Sequence, residues 1–241
     1  MQLSPETWLM AVLAGLYVYD SALLLTHNEV LLTRTQGGPW KAIFSIRGGS
    51  FFGRELCLGN LLCPARPVFR LRWHYETPLT GITCDLASVC EPLRPFAFLI
   101  AGLFATMLIA LPAVLLLRLG DLAVVFVFAL MYLQILATCL VLWRYRKPLN
   151  LSTRQVASMC FEFVLCPPFA LNAVRRLTLA QQVREDFYSA AQRLLSPQAF
   201  EQACQQLLMR LDDEIMAEAE GTLRMQALVE RVAALEKICL R

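Results

Sequence analysis

The chain has 241 residues, 57% of them hydrophobic and 17% charged, with a mean hydropathy of +0.53 and a formal net charge of +3. That apolar excess lies beyond ordinary soluble domains and excludes a disordered or wholly solvated chain. The small net charge, with no dense basic block, excludes a nucleic-acid partner.

The first apolar run covers 8–25. No basic residue precedes it and no small-x-small cleavage site follows, so it reads as a retained spanning helix rather than a removable signal. It is short for a span and carries Asp20. A carboxylate at a helix centre costs about 2.5–3.5 kcal/mol on insertion scales and normally faces protein or water. Asp20 lies near the end of the run, where the penalty is smaller. Its expected partner is Arg144, Arg146 or the Tyr132 hydroxyl.

Residues 26–95 read as a small β-rich insertion. Gly37-Gly38 and Gly48-Gly49 punctuate it, and 29–33, 40–46 and 53–58 have strand composition. The clearest alternation is 69–73, with Phe69, Leu71 and Trp73 on one face and Arg70 and Arg72 on the other. An antiparallel sheet of three or four strands is expected. Its arginine face is assigned either to solvent or to anionic lipid headgroups. The aromatic residues lie on the opposite face, which argues against an RNA-binding sheet.

Two runs, 96–117 and 122–143, hold no Asp, Glu, Lys, Arg or His and are separated only by Arg118-Leu119-Gly120-Asp121. At about 1.5 Å per residue each makes roughly 33 Å of helix, enough for a hydrocarbon core of about 30 Å. They read as a transmembrane hairpin, with Gln134 as its embedded polar residue. With three spans, residues 1–7 and the hairpin tip share one side and carry only Arg118. The other side carries Arg34, Lys41, Arg94, Arg144, Arg146, Lys147 and Arg154. That bias predicts the N-terminus outside and the insertion and tail in the cytoplasm.

Residues 146–177 read as an interfacial segment. Arg144, Arg146 and Lys147 form a basic belt at the membrane surface, and the Pro167-Pro168 break follows an apolar stretch too short to span. Arg175 and Arg176 are expected to face phosphates. The tail, 178–241, reads as helical and soluble. Thr178 is expected to cap a helix over 179–195, Ser196-Pro197 to restart one, and Asp212 or Asp213 to cap a third. On the last, Met225, Leu228, Val232, Leu235 and Cys239 recur at a/d spacing over about two heptads. This seam either packs within the tail or carries self-association or a partner helix.

Cys57, Cys63, Cys84 and Cys90 form two C-x5-C pairs. The spacing is poor for zinc, and a reducing face favours plain thiols; an inverted topology would favour disulfides. There is no GxSxG, HExxH, GxxxxGK[ST] or GxGxxG, and histidine is limited to His27 and His74. No catalytic residue, metal or cofactor is therefore expected.

The expectation is an α-helical integral membrane protein with three transmembrane helices, a β-rich cytoplasmic insertion and an α-helical cytoplasmic tail. Its segments are 1–25, 26–95, 96–145, 146–177 and 178–241. The expected place is the bacterial inner membrane, and the expected role a non-enzymatic anchor, scaffold or accessory subunit. Its partners are the lipid bilayer and a protein, or a second copy, held through the C-terminal helices. The competing classes are a small membrane enzyme with Cys or Asp chemistry and a subunit of an oligomeric transporter.

Overall fold

A computed structural model describes residues 4–239, apart from 35–37, 46–49, 52–53, 59–60, 74–84, 182, 184 and 219–220. His74, Cys84, Gly37, the Gly48-Gly49 pair and Pro78 lie outside the described residues. The chain forms two compact units. The first comprises Met1–Leu23, Leu58–Pro67 and Asp85–Gln181; the second comprises Leu24–Cys57, Val68–Cys84 and Gln182–Arg241. Most of the insertion and of the tail thus fall in the second unit, while 58–67 and 85–95 of the insertion and 178–181 of the tail fall in the first.

The first unit is helical. Its opening helix, α1 (Pro5–Ser21), is set by the Ser4 hydroxyl, which accepts from the Thr7 N–H, and by Pro5 in the first turn. The helix ends before the apolar run does. Leu23–Leu25 is instead strand β1, because Ala22 turns extended (φ −71°, ψ 127°). Asp85 caps α2 (Leu86–Cys90) through the N–H groups of Ala87 and Ser88. A 3-10 turn at Glu91–Leu93 leads into α3 (Arg94–Ala105), a π-helical turn at Thr106–Ala110 and α4 (Leu111–Leu116). The tip turns on Arg118 (φ 50°) and Gly120 (φ 93°), and Gly120 suits a conformation other side chains resist. Helix α5 (Asp121–Tyr145) runs back. Phe96, Ile100, Leu103, Met131, Ile135 and Phe163 are buried in the shared core.

Past α5, Ser152 and Gln155 form a capping box for α6 (Thr153–Leu165). The double proline ends α6 at Cys166 and starts α7 (Pro167–Leu171), since proline is tolerated in a first turn. Helix α8 (Ala173–Ala180) follows. Thr178 is not a cap: it lies inside α8, buried, with its hydroxyl donating to the Val174 or Arg175 carbonyl.

Among the described residues, the second unit joins two three-stranded sheets to three helices. The sheets have the orders β1-β5-β4 and β3-β2-β6, from β2 (Glu29–Arg34), β3 (Trp40–Ile43), β4 (Ser50–Phe51), β5 (Arg54–Cys57) and β6 (Val68–Arg72). Strand β2 is central and antiparallel to both neighbours, with Leu32 opposite Ala42 and Phe69. The alternation in β6 holds: Phe69, Leu71 and Trp73 are buried, while Arg70 and Arg72 point away from that core.

Asp186 caps α9 (Phe187–Leu194), and Ser196-Pro197 starts α10 (Pro197–Ala217) as expected. Asp212 and Asp213 lie within α10. The cap of α11 (Leu223–Cys239) is Thr222, whose hydroxyl accepts from Met225 N–H at 3.1 Å after Gly221 at φ 82°. Helices α10 and α11 pack on each other. Leu228 and Leu235 of the seam are buried, and Met225 and Val232 partly so. The side chain of Cys239 lies outside the described residues. Truncating Leu228 to Ala should cost about 2–3 kcal/mol by leaving a cavity between the helices. Thermal unfolding and sedimentation of the full protein check this together: the transition should fall while the oligomeric state stays the same.

Candidate functional site

Two helices are long and apolar enough to cross a membrane: Leu86–Leu116, with 31 residues, and Asp121–Tyr145, with 25. At about 1.5 Å per residue they rise roughly 46 and 37 Å. A core helix of a soluble protein passes the same length test but is mostly buried, whereas only 33% and 22% of the most apolar stretches here are buried. What faces outward is large and greasy. Phe98 and Leu122 are each 86% exposed, and Leu116, Val125, Phe126, Leu133, Leu136 and Leu140 continue the surface. Monomeric soluble proteins rarely leave contiguous apolar surface of this kind uncovered.

Helix α1 lies along this hairpin. Leu13 packs against the cluster of Leu111, Val114 and Val127, and the Tyr17 ring meets Phe104 edge-on at 6.1 Å. Ser4, Glu6 and Thr7 share a cavity of about 340 Å³ with Arg118, Gly120 and Asp121, so α1 starts at the hairpin tip. Trp8, Val12 and Tyr19 face outward from it.

The other end of α1 enters a polar cluster. Asp20 is bound by Arg176 of α8, Nη2 to Oδ1 at 2.5 Å, and by the Asn172 amide, Nδ2 to Oδ2 at 2.9 Å. Arg176 also holds Glu162 of α6, and its guanidinium lies 4.6 Å from the Phe169 ring centroid. Burial opposes its charge, but Asp20 and Glu162 outweigh that and raise its pKa. Arg175 is buried and donates from Nη1 to the Ser21 carbonyl at 2.7 Å. The double-proline turn makes this convergence possible by folding α6, α7 and α8 back around the end of α1. Asp20 is therefore engaged by Arg176 and Asn172, not by Arg144, Arg146 or Tyr132. Arg175 is buried and Arg176 is partly buried, and each is engaged by groups within the protein. The cluster is a clasp between helices, its charges spent on one another.

Gln134 of α5 faces α3. A Cβ added at Gly102 would lie 3.2 Å from its Nε2, and its Oε1 is buried without a hydrogen-bond partner. Arg144 and Lys147 are exposed at the end of α5. Between them Arg146 stacks on Trp143 at 4.2 Å and donates to the Trp143 carbonyl.

In the second unit Arg70 and Arg72 both pair with Glu29 of β2, at 3.8 and 3.0 Å, rather than forming an open cationic face. Burial pushes the Glu29 carboxyl up, but the Thr26 N–H and the two arginines hold it below its ordinary value. A second cluster, which the reading of the sequence missed, surrounds buried Arg210. Its guanidinium reaches Glu55 at 3.2 Å, the Ser45 hydroxyl at 2.8 Å, and the carbonyls of Ser45 and His27 at 3.1 Å each. His27 Nδ1 lies 3.5 Å from Glu55, and the Ser45 hydroxyl donates to Glu55. The residue types suggest a hydrolytic triad, but the geometry does not. Glu55 sits between serine and histidine, so His27 has no path to the Ser45 proton, and Ser45 is buried. One signal was present in the sequence: Arg210 shares the inward face of α10 with Leu207 and Leu211.

Cys57, Cys63 and Cys90 form no disulfide among the described residues, and no group of three or more metal-ligating side chains is gathered among them. Comparison of the chain with protein-family models, with curated proteins and with solved structures gives no match.

Proposed function

We propose that the protein is a multi-pass membrane anchor and scaffold. Its first unit crosses the bilayer with three helices, and its second is carried in the cytoplasm as an interaction module. The observation that carries this reading is the exposed apolar surface of the hairpin, which only lipid or protein can cover. The third crossing is supported by the path of α1, which starts beside the hairpin tip, as a three-span topology requires. At 17 residues α1 rises roughly 25 Å, so Asp20 and its partners fall at the membrane boundary, where a charged clasp is tolerated. The distribution of Lys and Arg supports an N-out, C-in orientation, and the bacterial inner membrane is the location proposed. A scaffold is favoured over an enzyme because the conspicuous polar groups, at Asp20 and at Arg210, are committed to one another.

Two measurements test it. The full chain should stay in the membrane pellet after alkaline carbonate extraction. Reporter fusions at Gly38 and Arg241 should read as cytoplasmic and one at Gly120 as exported. Release by carbonate would overturn the membrane reading, and export at Gly38 would overturn the orientation. Purification in mild detergent should then recover a stoichiometric protein partner; a lone monomer would remove the scaffold role.

A further inference from the structure

The hairpin has two unlike ends. From Leu122 to Phe161 the chain carries no Asp or Glu, yet it holds Arg144, Arg146, Lys147 and Arg154. These fall in the last turn of α5, the connection and the first turn of α6. None of the four has a carboxylate partner among the described residues. Several other arginines are paired with carboxylates: Arg176 with Asp20 and Glu162, Arg210 with Glu55, Arg72 with Glu29 and Arg231 with Asp186. At the opposite end, Arg118 shares its cavity with Glu6 and Asp121.

The four basic residues have the setting of a headgroup site. They sit where an exposed apolar helix stops, next to half-exposed Trp143, whose amphipathic ring suits the boundary between acyl chain and headgroup. Arg146 is held in place by its stack on Trp143, so one guanidinium is already oriented at that boundary. Gln181 Nε2 donates to the Leu149 carbonyl at 3.0 Å and fixes the connection between α5 and α6. Four cations without a carboxylate partner among the described residues thus lie together at one end of the apolar hairpin.

We propose that Arg144, Arg146, Lys147 and Arg154 form a binding edge for the phosphate headgroups of anionic phospholipids. This rests on the membrane reading and narrows it to a lipid class. It also replaces the wider expected set, since Arg70, Arg72, Arg175 and Arg176 are engaged within the protein.

The full chain is reconstituted into vesicles of phosphatidylcholine alone and of equal parts phosphatidylcholine and phosphatidylglycerol. Lipid retained after extraction into mild detergent is then measured by mass spectrometry. The wild type should retain phosphatidylglycerol at least about tenfold over phosphatidylcholine, and added salt should weaken the preference. Inorganic phosphate at equal ionic strength should compete no better than chloride, which separates a lipid edge from a site for free phosphate. The variant R144Q/R146Q/K147Q/R154Q should lose the preference, whereas Arg118→Gln should keep it. Should the fourfold variant fail to fold by circular dichroism, Lys147→Gln and Arg154→Gln alone should each lower the preference about two- to fivefold. Equal retention of both lipids by the wild type, or an unchanged preference in these variants, overturns the proposal. Failure to enter phosphatidylcholine vesicles at all would overturn the membrane reading and this proposal with it.

Discussion

Replacing Arg210 with Leu should destabilise the second unit by about 3–5 kcal/mol, a large share of the 5–15 kcal/mol that holds a typical domain together. The guanidinium is 4% exposed and is shared by β-strand and loop residues far from it in sequence. Its removal strands the Glu55 carboxylate and leaves the Ser45 and His27 carbonyls without their donor. Arg210→Lys should recover part of the loss, because one ammonium cannot reach all four acceptors. Acid should reveal the same cluster. Burial pushes Glu55 up, but the Ser45 hydroxyl, Arg210 and His27 together hold it below its ordinary value of 4.5. A carboxyl lowered on folding contributes stability above its unfolded pKa and loses it as pH falls through the folded one. Unfolding of the wild type should therefore become easier below about pH 4.5, with Glu29 acting in the same direction. The Leu variant should show a weaker dependence, since Glu55 no longer has its main cation. An equally steep acid dependence in both would remove Arg210 from the account.

What could be read in the sequence was what depends on neighbours a few residues away. The uncharged runs, the Ser196-Pro197 start and the alternation at 69–73 are local patterns, and each appears in the structure. Local patterns also misled where two structures share them. Leu23–Leu25 suits a helix as well as a strand, and only pairing in the β1-β5-β4 sheet decides for the strand. Thr178 has the chemistry of a cap, but inside a helix a threonine hydroxyl can satisfy itself on a carbonyl of the preceding turn. The arginines were the hardest to read. Arg175 and Arg176 look like interfacial residues until Asp20 and Ser21, at the other end of the unit's chain path, are brought beside them.

The same long-range closure explains why the strands of the insertion and most of the tail fall in one unit. The Phe44 ring meets Phe187 edge-on at 5.7 Å, and β6 touches Asp186 through a single bridge at Arg72. Asp186 in turn caps α9 and pairs with Arg231 of α11 at 3.3 Å. Buried Arg231 lies on the seam between Leu228 and Leu235, so that face of α11 is occupied within the protein. A partner helix would have to use another face of α11.

Arg176→Met should be the most damaging single change in the first unit, at about 3–5 kcal/mol. Asp20 is 12% exposed and would keep only the Asn172 amide, whereas Glu162, at 42%, would remain partly solvated. The penalty should therefore belong mainly to Asp20. Asp20→Asn keeps an acceptor for Asn172 and leaves Arg176 its bond to Glu162, so its cost should be about 1 kcal/mol. Asp20→Leu removes the acceptor as well and should cost more. The informative variant is the double, Asp20→Asn with Arg176→Met. With the stranded carboxylate gone, it should be more stable than Arg176→Met alone, an interaction energy of about 1–3 kcal/mol. Thermal unfolding in mild detergent reads all four variants on one scale. Losses that simply add would mean Arg176 acts through its packing on Phe169 rather than through Asp20. A fully stable Asp20→Leu variant would remove the clasp between α1 and α8.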